Sequence, residues 1–579
     1  MNIHLIPQPQ HLNVIEDAVD FSPERLTAVL EMPVGDDRLI RHAGTIFKKL
    51  EIKTGECGEY VLYAGINAPP YPELPMQREG YTLVTSSQSF MIRSRSAQGL
   101  FYGMQTLKQL LRGERFSSVE ITDWPDLSLR SDYLDLRSIY PKFDRLLYFI
   151  QEMAEYKFNT LVIEYEDKLP FDTMPELCHP EAFSQRQLEL LLETARENYI
   201  EVIPLQQSFG HLEYVLKHPQ YERLRETPDT PGEMCPLREG AFELAAKLLR
   251  EMANRHPNSR YLHIGCDEVW SLGASEECRL SGKSREQISV EYVNQLIDFV
   301  CGLGKIPIVW HDMFENASQE ILDALDKRSV MAVWLYSDQQ VRYFAPDFFE
   351  RLHRAGISYL ACSASRSYDH LPWQNYPCAH TRLRNIDSWC ELAAKQHIAG
   401  IIHTNWASSF SLGRPYGLFE TSRYTAFYGA DRSWNLSGLS QTYLERFLSV
   451  YHGIHDARLY GGAYNRFDYY SIIPSLLNQV ARNKMTAQLI SVCIKYENAV
   501  PVICNAFRGA LFPDSQVEYD CLRERSQKNY THLKKLTNEL EQISGQLLSP
   551  AMSTIFLASR TYQNDLYRKE LEKILHIQL

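Results

Sequence analysis

The sequence lacks the patterns that mark several large classes of protein. Its 579 residues contain no run of eighteen apolar residues and no basic N-terminal segment followed by an apolar one. We therefore expect neither a membrane-spanning helix nor a signal peptide. The twelve cysteines are scattered without a Cys-x-x-Cys pair, and no His-Glu-x-x-His motif occurs. These absences predict reduced thiols, a cytoplasmic protein, and no metal or other cofactor.

The chain also lacks an excess of positive charge. Its 60 Lys and Arg residues against 72 Asp and Glu residues give a net charge of -12. Such a chain repels phosphate backbones and anionic headgroups, so nucleic acid and membrane surfaces are poor partners. Aromatic residues are plentiful, with 34 Tyr and 8 Trp. Their rings suit sugar binding, and they suit a well-filled core equally well. The sequence makes no prediction about oligomeric state.

Three regions are expected, with boundaries at residues 1–124, 125–436 and 437–579. In the first, strand-like runs at Tyr81–Thr85 and Phe90–Ser94 precede an apolar stripe of helical spacing, which indicates a small α/β domain. Beyond residue 437 the strand pattern fades and apolar stripes of helical spacing remain. We expect a helical C-terminal region there.

The central region alternates short buried strands with amphipathic helices. Eight strands and their helices over about 300 residues are typical of a (β/α)8 TIM barrel. A doubly wound open sheet is the alternative fold. The predicted strands are Asp132–Arg137, Thr160–Tyr165, Glu201–Leu205, Tyr261–Gly265, Ile306–Trp310, Met331–Tyr336, Ser358–Ala361 and Gly400–Thr404.

Charged and aromatic residues recur where these strands end, which is where a TIM barrel carries its active site. Each of them alone is compatible with core packing or a surface ion pair. Their concentration at one rim predicts a site. The candidates are Arg137, His211, Asp267, Glu268, Trp310, Asp312, Trp334, Tyr336 and Trp406.

Two adjacent carboxylates, Asp267 and Glu268, follow the fourth strand. Neighbouring side chains of a regular strand point to opposite faces, so both can face one substrate only where the strand breaks into a loop. Gly265 permits the unusual backbone angles of such a break. Two carboxylates held close together separate each other's pKa values, so that one can act as an acid while the other stays charged. A capping or salt-bridging pair is the structural alternative.

The run from His263 to Val269, His-Ile-Gly-Cys-Asp-Glu-Val, resembles the His-x-Gly-x-Asp-Glu signature of family 20 glycoside hydrolases. The resemblance covers roughly residues 78 to 430, including the Gly210–His211 pair. The second strand and the run Trp270–Gly273 are most similar to the non-secreted hexosaminidase D branch of that family. Cys266 departs from the signature, since a small residue is more usual there.

The resemblance implies a retaining exo-β-N-acetylhexosaminidase that acts on oligosaccharides or glycoconjugates ending in an N-acetylhexosamine. In that family the substrate's own acetamido oxygen replaces the protein nucleophile, and an oxazolinium forms. Glu268 would be the general acid/base and Asp267 its partner, with Arg137 on sugar hydroxyls and His211 behind the carboxylates. Trp310, Trp334 and Trp406 would wall the acetamido pocket.

The family's tyrosine that holds the acetamido carbonyl has no match at the seventh strand, and Tyr336 is assigned in its place. Two other functions stay open on the sequence alone. A barrel glycosidase for non-acetylated sugars would use separated carboxylates, such as Glu166 and Glu268. A catalytically silent carbohydrate-binding protein would not need the adjacent carboxylate pair.

Overall fold

Sheet, barrel and long helices follow one another along the chain in the computed structural model. The structure describes residues 3–20, 27–28, 37–49, 53–54, 61–66, 78–86, 89–112, 115–369, 375–396, 398–409, 413–455, 464–511 and 515–579.

The N-terminal domain contains a five-stranded sheet in the order β1-β7-β5-β6-β4, in which only β4 and β6 run parallel, and a separate parallel pair, β2 and β3. The predicted hairpin strands pair as β5 and β6, and Ser96 caps the helix that follows, since its side chain accepts a hydrogen bond from the Gly99 N–H. The strands are β1 (His11–Asp20), β2 (Thr27–Ala28), β3 (Lys53–Thr54), β4 (Val61–Ile66), β5 (Tyr81–Thr85), β6 (Ser89–Ser94) and β7 (Arg115–Asp123), and the helices are α1 (Asp37–Lys49) and α2 (Ala97–Leu110).

Asp123, at the end of β7, joins this domain to the barrel. Its carboxylate accepts hydrogen bonds from the Tyr81 hydroxyl at 2.6 Å and the Trp434 indole N–H at 2.8 Å. The Lys157 ammonium lies 2.9 Å from the same carboxylate. All four side chains are buried. The Lys157–Asp123 ion pair is therefore not weakened by solvent.

Eight parallel strands form a closed barrel in sequence order, with β15 pairing back to β8. The (β/α)8 prediction is confirmed, and the open-sheet alternative is wrong. The strands are β8 (Leu129–Asp135), β9 (Thr160–Glu164), β10 (Glu201–Leu205), β11 (Tyr261–His263), β12 (Ile306–Trp310), β13 (Val330–Trp334), β14 (Ser358–Arg366) and β15 (Gly400–Asn405). The helices around them are α3 (Phe143–Glu155), α4 (Gln185–Glu197), α5 (Glu213–Leu216), α6 (Ala241–Arg255), α7 (Glu276–Leu280), α8 (Arg285–Gly302), α9 (Gln319–Ala324), α10 (Asp338–Tyr343), α11 (Ala345–Ala355), α12 (Ala379–Gln396) and α13 (Arg423–Trp434).

Apolar side chains from most of the barrel strands fill the barrel interior. Tyr133, Ile308 and Trp310 are fully buried there, and Trp334 and Trp406 pack on them from above. The barrel is thus a packed core rather than a pore, and a ligand can bind only at its ends.

The C-terminal region is helical, as predicted. Its helices are α14 (Tyr443–Phe447), α15 (Tyr469–Ile472), α16 (Lys484–Leu511), α17 (Gln516–Leu547) and α18 (Pro550–Leu575). Buried Arg560 of α18 donates to the Asn375 side chain and to the Pro415 carbonyl, both at 2.7 Å. The long helices therefore hold loops beyond the carboxyl ends of the barrel strands. Within the described residues, no helix combines the length and apolarity needed to cross a membrane.

Candidate active site

The chain after β11 turns so that two neighbouring carboxylates share one cavity. Gly265, Cys266 and Glu268 have φ values of +68°, +73° and +53°. These left-handed angles break the strand alternation, and non-glycine residues adopt them at an energetic cost that often marks functional sites. A side chain at Gly265 would place its Cβ 1.9 Å from the Gln207 side-chain oxygen. The break expected from the adjacent acidic pair is therefore present.

The Gly210–His211 pair approaches this turn from the end of β10. A Cβ on Gly210 would lie 2.0 Å from the Asp267 carbonyl oxygen, so only glycine allows the two loops to meet. The His211 Nε2 lies 3.4 Å from an Asp267 oxygen and 3.1 Å from a Glu268 oxygen. One imidazole thus bridges both carboxylates.

The contact of His211 with the two carboxylates shifts the pKa values of His211 and Asp267. Burial opposes a charge on His211, but the neighbouring carboxylates, Asp267 first, outweigh it and raise the pKa of His211 well above its ordinary value. Burial likewise opposes ionisation of Asp267, but His211 holds the pKa of Asp267 below its ordinary value. The arrangement favours a charged Asp267 beside a protonated histidine. Glu268 retains 27% side-chain exposure and faces the cavity.

Arg137 lies two residues past the end of β8, because that strand stops at Asp135. Its Nε and Nη2 each lie 3.0 Å from one oxygen of the Asp135 carboxylate, and Glu164 is 3.3 Å from Nε. Its guanidinium carbon sits 4.9 Å from the centre of the Trp406 ring. Two buried carboxylates therefore fix the orientation of the guanidinium. Its Nη1 has no hydrogen bond to any described residue and can donate to a ligand.

Aromatic residues form the opposite wall. The rings of Trp334 and Tyr336 stack at a centroid distance of 5.3 Å, and the Trp406 indole N–H donates to the Tyr336 hydroxyl at 2.9 Å. This bond orients two rings around one space. The wall has the apolar faces and polar edges that suit a sugar ring or an acetamido group.

Two predicted residues lie behind the cavity rather than on its surface. Trp310 is fully buried, and its ring packs 6.2 Å from that of Trp406. The Asp312 carboxyl group accepts from the Glu268 backbone N–H at 2.8 Å and from the Trp334 indole N–H at 3.3 Å. Burial, reinforced by the Asp267 charge, raises the pKa of Asp312 to about 8. Both residues support side chains that line the cavity.

The cavity has a volume of about 280 Å³, just below the usual range for ligand sites. Its lining brings together Arg137, His211, Asp267, Glu268, Trp334, Tyr336 and Trp406 from the predicted set. It also contains residues that were not predicted, namely Ser367, Ser408, Ser409 and Tyr416. The serines follow strands β14 and β15, where strand ends could have indicated them. Tyr416 comes from an irregular loop that carries no periodic signal.

Comparisons with known proteins agree with this geometry. Residues 128–411 match glycosyl hydrolase family 20, catalytic domain, and residues 2–124 match glycosyl hydrolase family 20, domain 2. Hexosaminidase D of Bos taurus and of Homo sapiens are each 28% identical over 48% of this chain, covering 84% and 60% of their own lengths.

A solved structure has the same fold. The Streptomyces plicatus β-hexosaminidase mutant in complex with the product GlcNAc has a TM-score of 0.58 at 20% identity, over 77% of this chain and 93% of that one. The family matches together cover most of the chain, and the resemblance seen in the sequence is confirmed. The chain belongs to glycosyl hydrolase family 20.

Proposed function

We propose that this chain is a retaining exo-β-N-acetylhexosaminidase that removes a terminal N-acetylglucosamine or N-acetylgalactosamine by substrate-assisted catalysis. One observation carries the proposal. Asp267 and Glu268 line the same small cavity, bridged by His211, and no other carboxylate appears among the described residues of its lining. A cavity of about 280 Å³ suits one terminal sugar better than an extended chain.

The roles of the residues follow from the chemistry. Glu268 protonates the glycosidic oxygen while the substrate's acetamido carbonyl oxygen attacks the anomeric carbon. The C–O bond to the leaving group breaks, and an oxazolinium forms. Glu268 then takes a proton from the water that opens this ring, so the anomeric configuration is retained.

Asp267 accepts a hydrogen bond from the acetamido N–H and stabilises the positive charge of the closing ring. Its low pKa, maintained by His211, supports this role because an anion is required. Trp334, Tyr336 and Trp406 press the acetamido group toward the anomeric carbon, which lowers the entropic cost of the attack. The Tyr336 hydroxyl is assigned to the acetamido carbonyl and Arg137 to the sugar hydroxyls.

Glu166 does not support the alternative of a glycosidase with separated carboxylates. Its side chain is buried and does not line the cavity that contains Glu268. Such an enzyme needs two carboxyl groups that flank one glycosidic bond. We also propose a cytoplasmic location, which is supported by the eleven described cysteines, all of them free thiols.

Two measurements test the mechanism together. We expect kcat/KM for a chromogenic β-N-acetylglucosaminide to exceed that for the matching β-glucoside by orders of magnitude, because the glucoside lacks the acetamido nucleophile. A thiazoline that mimics the oxazolinium should inhibit far better than free N-acetylglucosamine. Equal turnover of the two glycosides, or indifference to the thiazoline, would contradict substrate assistance. Binding of the sugar without turnover would indicate a silent binding protein.

A further inference from the structure

Three side chains that commonly bind metals converge away from the substrate cavity. The Cys235 and Cys278 sulfurs are 3.8 Å apart, and the Cys278 sulfur is 3.7 Å from a Glu226 oxygen. The ligating atoms of all three residues lie within 4.8 Å of one another. None of the three is more than 2% exposed.

The distances fit a tetrahedral zinc ion. With Zn–S bonds of about 2.3 Å and Zn–O bonds of about 2.0–2.2 Å, a tetrahedron places two sulfurs about 3.8 Å apart and a sulfur about 3.5 Å from an oxygen. A disulfide would instead require a sulfur separation of about 2.05 Å. Two thiolates and a carboxylate also form a donor set that zinc accepts in preference to magnesium or calcium.

The Glu226 carboxylate is oriented by the backbone so that one oxygen faces the two cysteines. One of its oxygens accepts from the backbone N–H groups of Gly273 and Ser275, both at 2.9 Å, which aims the other oxygen at the cysteines. No Lys, Arg or His among the described residues lies within ion-pair distance of this buried carboxylate. The oxygen that faces the cysteines accepts the weak S–H donor of Cys278. A buried carboxylate without a cationic partner is costly, and a divalent cation between it and the sulfurs would lower that cost.

A fourth ligand is available in the same place. The Ser275 hydroxyl oxygen lies 3.3 Å from the Cys235 sulfur and accepts one hydrogen bond, from the Cys278 backbone N–H. Its second lone pair remains for a metal. We propose that Glu226, Cys235 and Cys278, with the Ser275 hydroxyl, bind a structural zinc ion. On binding, both thiols release their protons to solvent, four zinc–ligand bonds form, and no electron is transferred.

The site would brace the loops that hold the catalytic residues. Cys278 and Ser275 belong to the segment that directly follows Glu268. Glu226 and Cys235 flank a loop that is joined to the His211 segment by two backbone hydrogen bonds, Met234 N–H to Phe209 at 3.0 Å and Leu212 N–H to Gly232 at 2.9 Å. Zinc would thus cross-link the chain after Glu268 to the chain around His211.

The inference revises the expectation that the protein has no metal. That expectation depended on the lack of closely spaced cysteines, and 43 residues separate Cys235 from Cys278. Only the fold brings them together. The zinc would have no contact with the substrate, so the mechanism proposed above does not depend on it.

The test is the metal content of the full-length protein, purified without chelators or metal-affinity steps. We expect about one zinc per chain by elemental mass spectrometry. Cys235→Ser, Cys278→Ser and Glu226→Gln should each lose most of it. Cys301→Ser, which changes a half-buried cysteine outside the cluster, should retain it and serves as the matched control.

A second measurement uses only the wild-type protein, so it tests the proposal even if the variants fail to fold. Wild-type protein stripped of metal and given cobalt should show thiolate-to-cobalt absorption, and zinc should abolish that signal. Removal of zinc should lower the melting temperature, and its return should restore it. The proposal is overturned if the wild type contains no zinc and takes up neither metal, if Cys235→Ser keeps a full equivalent, or if mass spectrometry finds a Cys235–Cys278 disulfide.

Discussion

The two ends of the barrel both carry cavities and charged residues, yet only one has the geometry for catalysis. The cavity beside the amino ends of the strands has a volume of about 730 Å³ and is lined by residues that include Arg38, Arg196 and Arg260. The cavity at the carboxyl ends has about 280 Å³ and contains Asp267 and Glu268. The larger cavity is therefore at the opposite end from the reacting groups.

The arginines that line the two cavities differ in their exposure to solvent. At the carboxyl end, Arg137 and its carboxylate partners are buried, so water does not weaken their interactions. At the amino end, Arg260 pairs with Glu201 at 2.6 Å while its own side chain is 68% exposed. Solvent and salt screen such a pair. Two adjacent carboxylates bridged by a buried histidine, rather than cavity volume, distinguish the carboxyl end.

The largest effect is expected for Glu268, the proposed acid/base at the carboxyl end. Glu268→Gln removes proton transfer, which contributes roughly 10²–10⁴-fold. An aryl glycoside with a very good leaving group needs little protonation, so its kcat/KM should fall much less than that of a natural disaccharide. The measurement is kcat/KM across a series of leaving groups.

Asp267→Asn is the matched comparison for this series. The acid remains, but acetamido positioning and charge stabilisation weaken, so the loss should be similar for good and poor leaving groups. A steep dependence in Asp267→Asn with a flat one in Glu268→Gln would mean that the two roles are reversed. Full activity in both variants would place the active site elsewhere.

Arg137→Lys should give the next largest effect. Lysine keeps the positive charge between Asp135 and Glu164 but cannot reproduce the fork that reaches a sugar hydroxyl as well. We expect a loss of about 1–3 kcal/mol, or roughly 5- to 150-fold in kcat/KM. An unchanged kcat/KM at an unchanged melting temperature would remove Arg137 from the substrate site.

The sequence predicted all eight barrel strands because each is a short apolar run with a helix after it. Two of them, Glu201–Leu205 and Ile306–Trp310, match the structure residue for residue. Strand β14 extends to Arg366, five residues beyond its predicted end, because residues 362–365 are small and give a weak strand signal. Strand β11 stops two residues before its predicted end, at His263, where the left-handed turn begins.

The sequence predicted most of the cavity residues that lie close to strand ends, and it missed those that an irregular loop supplies. Asp267, Glu268 and Arg137 lie within a few residues of strand ends, and the resemblance of the motif around Asp267 and Glu268 to the family signature added to that signal. Tyr416 reaches the cavity from an irregular loop whose neighbour Pro415 is held by Arg560, 145 residues away in sequence. No local pattern encodes that contact. The supporting role of Asp312 likewise depends on the Glu268 backbone and the Trp334 indole, which only folding brings to it.

Asp312 offers a smaller, pH-dependent effect. Its pKa is about 8 in the folded protein and about 3.8 when unfolded, so between these values the folded state holds the extra proton. Stability should therefore fall as pH rises from about 4 to about 8, and Asp312→Asn should remove this contribution, on the order of 1 kcal/mol or more. The measurement is the decrease in melting temperature between about pH 5 and pH 8.

The control for this measurement is Asp229→Asn, which changes an exposed aspartate and should leave the wild-type pH dependence intact. Each variant is compared with itself at the two pH values. Any pH-independent loss of stability from a weaker contact with Trp334 therefore cancels. If Asp312→Asn shows the same decline as the wild type, the Asp312 carboxyl is not protonated in the folded protein.

The smallest effect is expected at the amino end, where Arg260→Gln breaks the exposed pair with Glu201. Because water already screens that pair, the variant should lose at most about 1 kcal/mol of stability, and added salt should reduce the difference. Its kcat/KM should equal that of the wild type, since neither Arg260 nor Glu201 lines the catalytic cavity. Thermal unfolding at low and high salt, beside kcat/KM for the chromogenic N-acetylglucosaminide, provides both numbers. A fall in kcat/KM comparable to that of Arg137→Lys would show that the charge of the two ends is coupled through the barrel, and the contrast between them would fail.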